Sequence, residues 1–107
     1  MVSGRRPTAG VDAATILTRF MPDGALARMP TKATKRTVVL EHVANLFEPG
    51  VRYPESWVDE LIRGVLVPPE AGGEVDHVTV RRALVDHQLL DREAGEYWRT
   101  GGWVTGT

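Results

Sequence analysis

Five cations carry the clearest chemistry in this chain. Lys32, Lys35 and Arg36 fall at the start of one helical pattern, and Arg81-Arg82 fall inside another. Cations at a helix N-terminus oppose the helix dipole at about 0.3–1 kcal/mol each, so stability does not explain the first cluster. Free N–H groups beside three cations suit a phosphate. A solvated cluster, or an ion pair with Glu41 or the acidic rear of the chain, suits them as well. One arginine of the 81–82 pair can read a guanine edge or a phosphate, since its fork matches both. Residues 76–87 nevertheless sum to zero charge, because Asp76 and Asp86 share that helix. An Arg82–Asp86 bridge at i, i+4 is the intramolecular alternative.

Other chemistry is thin. His42, His77 and His87 form no i, i+4 pair and show no metal-ligand spacing, so no metal and no cofactor is expected. No Ser/His/Asp ordering, phosphate loop or dinucleotide fingerprint is present, so no catalytic residue and no enzyme activity is expected. Tyr97, Trp98 and Trp57 can stack on bases or anchor a protein partner. More often such residues fill the edge of a small core, which is the reading taken for Trp57 and Trp98.

Four helices and a hairpin must position these groups. Asp12 is a good N-cap for a short helix carrying Ile16, Leu17 and Phe20, which Pro22-Asp23-Gly24 ends. Thr31 or Thr34 can cap a second helix, whose stripe is Val39, Leu40, Val43, Ala44 and Phe47. Pro49-Gly50 stops it, and Val51-Arg52-Tyr53 can form a short strand. Pro54 opens a third helix that buries Val58, Leu61, Ile62 and Val65 and ends at Gly64. Residues 66–74 read as a loop. Asp76 caps the fourth helix, with Val80, Ala83, Leu84 and His87 on one stripe. Leu89–Arg92 and Glu96–Arg99 then flank a turn at Glu93-Ala94-Gly95. The reading is a mainly α domain with a small β-hairpin, ordered like a winged helix-turn-helix, over residues 12–99. Residues 1–11 are expected to be a flexible segment and 100–107 a tail.

Composition sets limits on function. No cysteine is present, which excludes disulfides and thiolate metal sites and fits a reducing cytoplasm. No signal peptide, membrane span or membrane association is expected. Residues 1–40 carry seven basic groups, including Arg5 and Arg6, against Asp12 and Asp23, a net +5; residues 41–107 carry six against twelve, a net −6. A basic front and an acidic rear can orient a partner. In the wing, Asp91, Glu93 and Glu96 outnumber Arg92 and Arg99, which would repel a phosphate backbone.

Residues 20–99 resemble a bacterial family of uncharacterised domains. Its members occur alone or as the C-terminal half of helix-turn-helix regulators of the arsenic-repressor type. The likeness rests on Phe20, Asp23-Gly24, Leu26, Pro30, Lys32, Lys35, Arg36, Val39-Leu40, Phe47, Gly50 and Tyr53. It continues in the run from Asp76 through Thr79, Arg81-Arg82, Leu84 and Leu89-Leu90 to Arg92, Gly95 and Tyr97-Trp98-Arg99. The loop 66–74 is longer here, and Ser56-Trp57-Val58-Asp59 replaces a more acidic helix start. The resemblance implies a winged-helix-like fold and a transcriptional role with no established chemistry.

The leading expectation is therefore a small regulator at DNA. Helix 77–87 would face a groove, with Arg81 and Arg82 on it, and Lys32, Lys35 and Arg36 would hold phosphates together with Arg5-Arg6. The rivals are a protein–protein module, or homodimer, using the acidic wing with Trp98 and Tyr97, and an RNA-binding accessory protein that uses the same basic front.

Overall fold

The computed structural model describes residues 13–100; Asp12, Arg5, Arg6, the expected flexible segment and the tail beyond Thr100 lie outside the described residues. Four helices run in order: α1 (Ala13–Phe20), α2 (Ala33–Ala44), α3 (Glu55–Arg63) and α4 (His77–Asp86). Three short strands accompany them: β1 (Arg52–Pro54), β2 (Leu90–Glu93) and β3 (Glu96–Arg99). They form one antiparallel sheet in the order β1-β3-β2. The domain is thus mainly α with a small sheet, and the hairpin β2–β3 stands where the alternating pattern places it.

The apolar stripes account for the packing. Val39, Leu40, Val43, Ala44 and Phe47 are all buried, as the α2 spacing predicts. Val58 and Ile62 of α3 and Val80 and Leu84 of α4 meet them, and Leu90 and Tyr97 close the core from the sheet. Phe47 and Tyr53 meet edge to face, 5.2 Å between centroids at 84°. Leu61 and Val65 are only half-buried, so the α3 stripe is narrower than the sequence suggests.

Local chemistry sets where the elements start and stop. Asp76 caps α4, accepting a 2.8 Å hydrogen bond from Thr79 N–H. That bond, with its companion from the Thr79 side chain, holds the Asp76 carboxyl below its ordinary value. Neither Thr31 nor Thr34 caps α2. The cap position is Lys32, with no side-chain hydrogen bond to the helix start. Arg36 instead reaches back to the carbonyls of Thr31 (2.9 Å) and Pro30 (3.3 Å) and fixes the entry to the helix.

His87 is the C-cap of α4 and is exposed, so it leaves the stripe expected of it. Gln88 follows at φ +61°, its N–H bonding to Val85 and the Leu89 N–H to Leu84. That pair of bonds is a Schellman stop built without glycine. At the hairpin, Ala94 (φ +55°) and Gly95 (φ +82°) both turn left-handed, the conformation a two-residue loop needs to match strand twist.

Two tertiary links escape the sequence pattern. Strand β1 joins the hairpin through β3, pairing Arg52 with Trp98 and Tyr53 with Tyr97. Leu26 bridges Leu66 in parallel, tying the segment after α1 to the end of α3. The loop beyond it carries a 3-10 turn at Pro69–Ala71.

Candidate functional site

The helices α3 and α4 place charged residues at i, i+4 intervals on facing sides: Glu55, Asp59 and Arg63 on one, His77 and Arg81 on the other. They mesh into a chain of polar contacts. Arg81 Nη1 lies 2.5 Å from Asp59 Oδ1 and 3.4 Å from Glu55 Oε2. Tyr97 donates its hydroxyl to the other Glu55 oxygen at 3.1 Å, and its ring centroid sits 6.0 Å from the Arg81 guanidinium carbon. Asp59 Oδ2 stands 4.0 Å from His77 Nε2, which is 3.2 Å from Arg63 Nη2.

This network is mostly shielded from water. The Arg81 and Asp59 side chains are 13% and 16% exposed, and Arg81 Nε is buried without a hydrogen-bond partner among the described residues. Burial works against the Arg81 charge. The hydrogen bond to Asp59 and the charges of Asp59 and Glu55 outweigh it, so the guanidinium pKa rises above its ordinary value. Arg81 therefore faces inward, not toward a groove, and is an internal bolt between α3 and α4. Its neighbour Arg82 is exposed. The Arg82–Asp86 bridge that the spacing allows is not among the ion pairs of the described residues.

The other basic cluster also divides. Lys32 is exposed, Lys35 is half-buried, and Arg36 is half-buried with its guanidinium committed to backbone carbonyls. Among the described residues no ion pair joins this cluster to Glu41. His42 is exposed on α2, and no group of three or more His, Cys, Asp or Glu able to hold a metal occurs among the described residues.

The aromatic residues exchange the places the sequence suggests. Tyr97 is 1% exposed and belongs to the core, so it offers a partner no surface. Trp98, next along β3, points to the opposite face of the sheet. There the Arg52 guanidinium carbon covers its ring at 4.2 Å, and Arg52 also reaches Glu96 at 3.5 Å. With Asp91, Glu93 and Glu96 the outer sheet face is acidic around a half-buried Trp98. Trp57, by contrast, is 61% exposed. Val58 and Ile62 occupy the buried stripe of α3, and Trp57 sits about 100° around the helix from Val58. An open surface shared with Ser56, Glu60 and Leu61 surrounds it. Sequence reasoning missed both Glu55–Asp59–Arg63 facing His77–Arg81 and the exposure of Trp57. The i, i+4 acid spacing on α3 was the available signal for the first.

No helix among the described residues is long and apolar enough to cross a membrane. Neither a curated protein nor a solved structure matches the chain. Residues 25–99, from just before the Leu26 bridge to the end of β3, match the profile of a family described as "Uncharacterized protein conserved in bacteria (DUF2087)", and the chain belongs to that family.

Proposed function

We propose that this chain is a small regulatory module on a winged-helix plan that docks a protein partner through Trp57 and the outer face of α3. The order α2-β1-α3-α4-β2-β3, with α4 as the recognition-type helix and β2–β3 as the wing, supports the plan. The observation that carries the reading is the direction of Arg81. With that cation spent on Asp59 and Glu55, the exposed charges left at α4 are Arg82, Asp76 and Asp86, a net −1. The wing beside it is acidic as well. Groove-reading surfaces carry the opposite sign. A tryptophan exposed as far as Trp57, rimmed by polar side chains, is the kind of anchor that protein interfaces use. Occurrence beside arsenic-repressor-type helix-turn-helix domains, which the family resemblance implies, suits a module that leaves base reading to a neighbour.

A photo-crosslinking residue at position 57 tests this in cells, with one at Glu41 on the exposed face of α2 as the comparison. An adduct with one defined protein is expected from position 57. With that protein purified, Trp57→Ala then weakens binding about tenfold or more. Crosslinks to nucleic acid, or equal affinity in Trp57→Ala, would contradict it.

A nucleic-acid role keeps one specific support. Lys32 and Arg82 are exposed and free of ion pairs among the described residues. Phosphate contact through Lys32, Lys35 and Arg82 is the second reading, and it predicts binding that falls steeply with salt.

A further inference from the structure

A cavity of about 390 Å³ opens between the end of α3 and the start of α4, under the loop that follows Leu66. Leu66, Val67, Pro68 and Val75 form its apolar walls, and Arg63 and His77 line it as well. The walls are pinned at both ends. Leu26 N–H bonds to Val65 (2.8 Å), Val67 N–H to Leu26 (2.9 Å) and Glu74 N–H to Ala27 (2.6 Å). Across the loop, Gly73 N–H bonds to Pro68 (3.0 Å), and a Cβ at Gly73 would stand 1.8 Å from the Val67 carbonyl oxygen. The pocket is therefore preformed by backbone geometry, and its size is at the small end of ligand cavities.

We infer that this cavity binds a small apolar carboxylate, its hydrocarbon body against Val67, Pro68 and Val75 and its anionic end on Arg63 and His77. The polar chemistry fits that class. Arg63 offers a planar fork of N–H donors that matches a carboxylate. Its contact with His77 Nε2 (3.2 Å) brings the imidazole to the same place; with Nε2 accepting from Arg63, the ring proton sits on Nδ1. Two carboxylates oppose the anionic end: Asp59, 4.0 Å from His77 Nε2 and already paired with Arg81, and Asp76, which lines the cavity. The Asp76 carboxylate is turned onto the Thr79 N–H of its own helix, where the helix N-terminus offsets the charge. Occupancy would also reach the α3–α4 network, because His77 lies 4.0 Å from Asp59, the main partner of Arg81. This site is independent of whether the partner is protein or nucleic acid.

Titration of the ¹⁵N-labelled chain with phenylacetate, and with the neutral phenylacetamide, tests the assignment by amide chemical shifts. The expected result is saturable shifts at Val67, Val75 and His77, with Kd on the order of 1 mM for a probe of this size. Phenylacetamide, and phenylacetate on Arg63→Gln, should each bind at least about fivefold more weakly, since both lose a charge-assisted pair. The comparison of the two probes on the unaltered chain stands even if the variant misfolds. Absence of shifts at about 20 mM probe, shifts confined to other residues, or equal affinity for the two probes would overturn the assignment.

Discussion

Arg81 Nη1 on α4 lies 2.5 Å from Asp59 Oδ1 on α3, and this pair sets apart two adjacent arginines: Arg81 locks the helices together while Arg82 stays in solvent. Breaking a shielded pair leaves a charge without its partner, which costs more than the pair itself contributes. Arg81→Met leaves the shielded Asp59 without its main partner, while Glu55 keeps its Tyr97 bond; Asp59→Asn leaves Arg81 with Glu55. Urea unfolding should show a loss of about 1–3 kcal/mol for Arg81→Met and a smaller loss for Asp59→Asn. The double variant Asp59→Leu/Arg81→Met should recover part of that loss. Equal and negligible effects of the two single changes would mean that solvent screens the network.

The cap on α4 gives a pH signature. The Asp76 carboxyl is held below its ordinary value, first by the Thr79 backbone hydrogen bond. The unfolded chain thus takes up the proton more readily than the folded one. Asp76 stabilises the fold fully above the unfolded value and loses that effect as pH falls through the lower folded value. The thermal midpoint of Asp76→Ala should lie below that of the parent chain near neutral pH, and the gap should narrow below about pH 4. Asp76→Asn, which keeps an acceptor, should lie between them. A gap that widens in acid would contradict the assignment.

Two left-handed positions lack the residue that fits them best. Ala94 (φ +55°) and Gln88 (φ +61°) each carry a Cβ where glycine or asparagine sits with less strain. Ala94→Asn and Gln88→Gly should each raise stability by about 0.5 kcal/mol, measured by chemical denaturation. Loss of stability in either would show that the side chain contributes more than the strain costs.

Gly73 makes the opposite demand. Its φ is ordinary, but a Cβ there meets the Val67 carbonyl oxygen at 1.8 Å. Gly73→Ala should cost about 1–3 kcal/mol and disturb the amide signals of residues 66–75 first. A substitution without effect would mean that this loop is not closed as described.

The helices were legible in the sequence because α2, α3 and α4 repeat apolar residues at helical spacing and Asp76 marks a start. Turn chemistry at Gly95 gave the hairpin. The docking of β1 on β3 was not legible, because a three-residue strand carries no periodicity of its own. Burial of particular polar side chains was the main blind spot. Arg81 and Arg82 are identical in type and adjacent in order; helical phase puts Arg82 opposite Val80 and Leu84 and Arg81 on their flank, but only the packing of α3 on α4 brings Asp59 to it. Trp57 and Tyr97 changed places for a similar reason: one helical step or one strand step moves a side chain from core to solvent.

Trp57 separates a folding role from a docking role. Since it is 61% exposed, Trp57→Ala should change unfolding free energy by no more than about 0.5 kcal/mol. A larger loss would return this residue to the core and remove the proposed anchor.

The most direct measurement is fluorescence anisotropy with labelled random-sequence duplex DNA, single-stranded DNA and RNA, titrated with the chain at low and moderate salt. With Arg81 bound to Asp59 and Glu55 and an acidic β2–β3 hairpin after α4, no salt-sensitive binding to any of the three is expected. Micromolar binding that collapses with added salt, and that is lost when Lys32, Lys35 and Arg82 are neutralised together, would contradict it and place this module on nucleic acid.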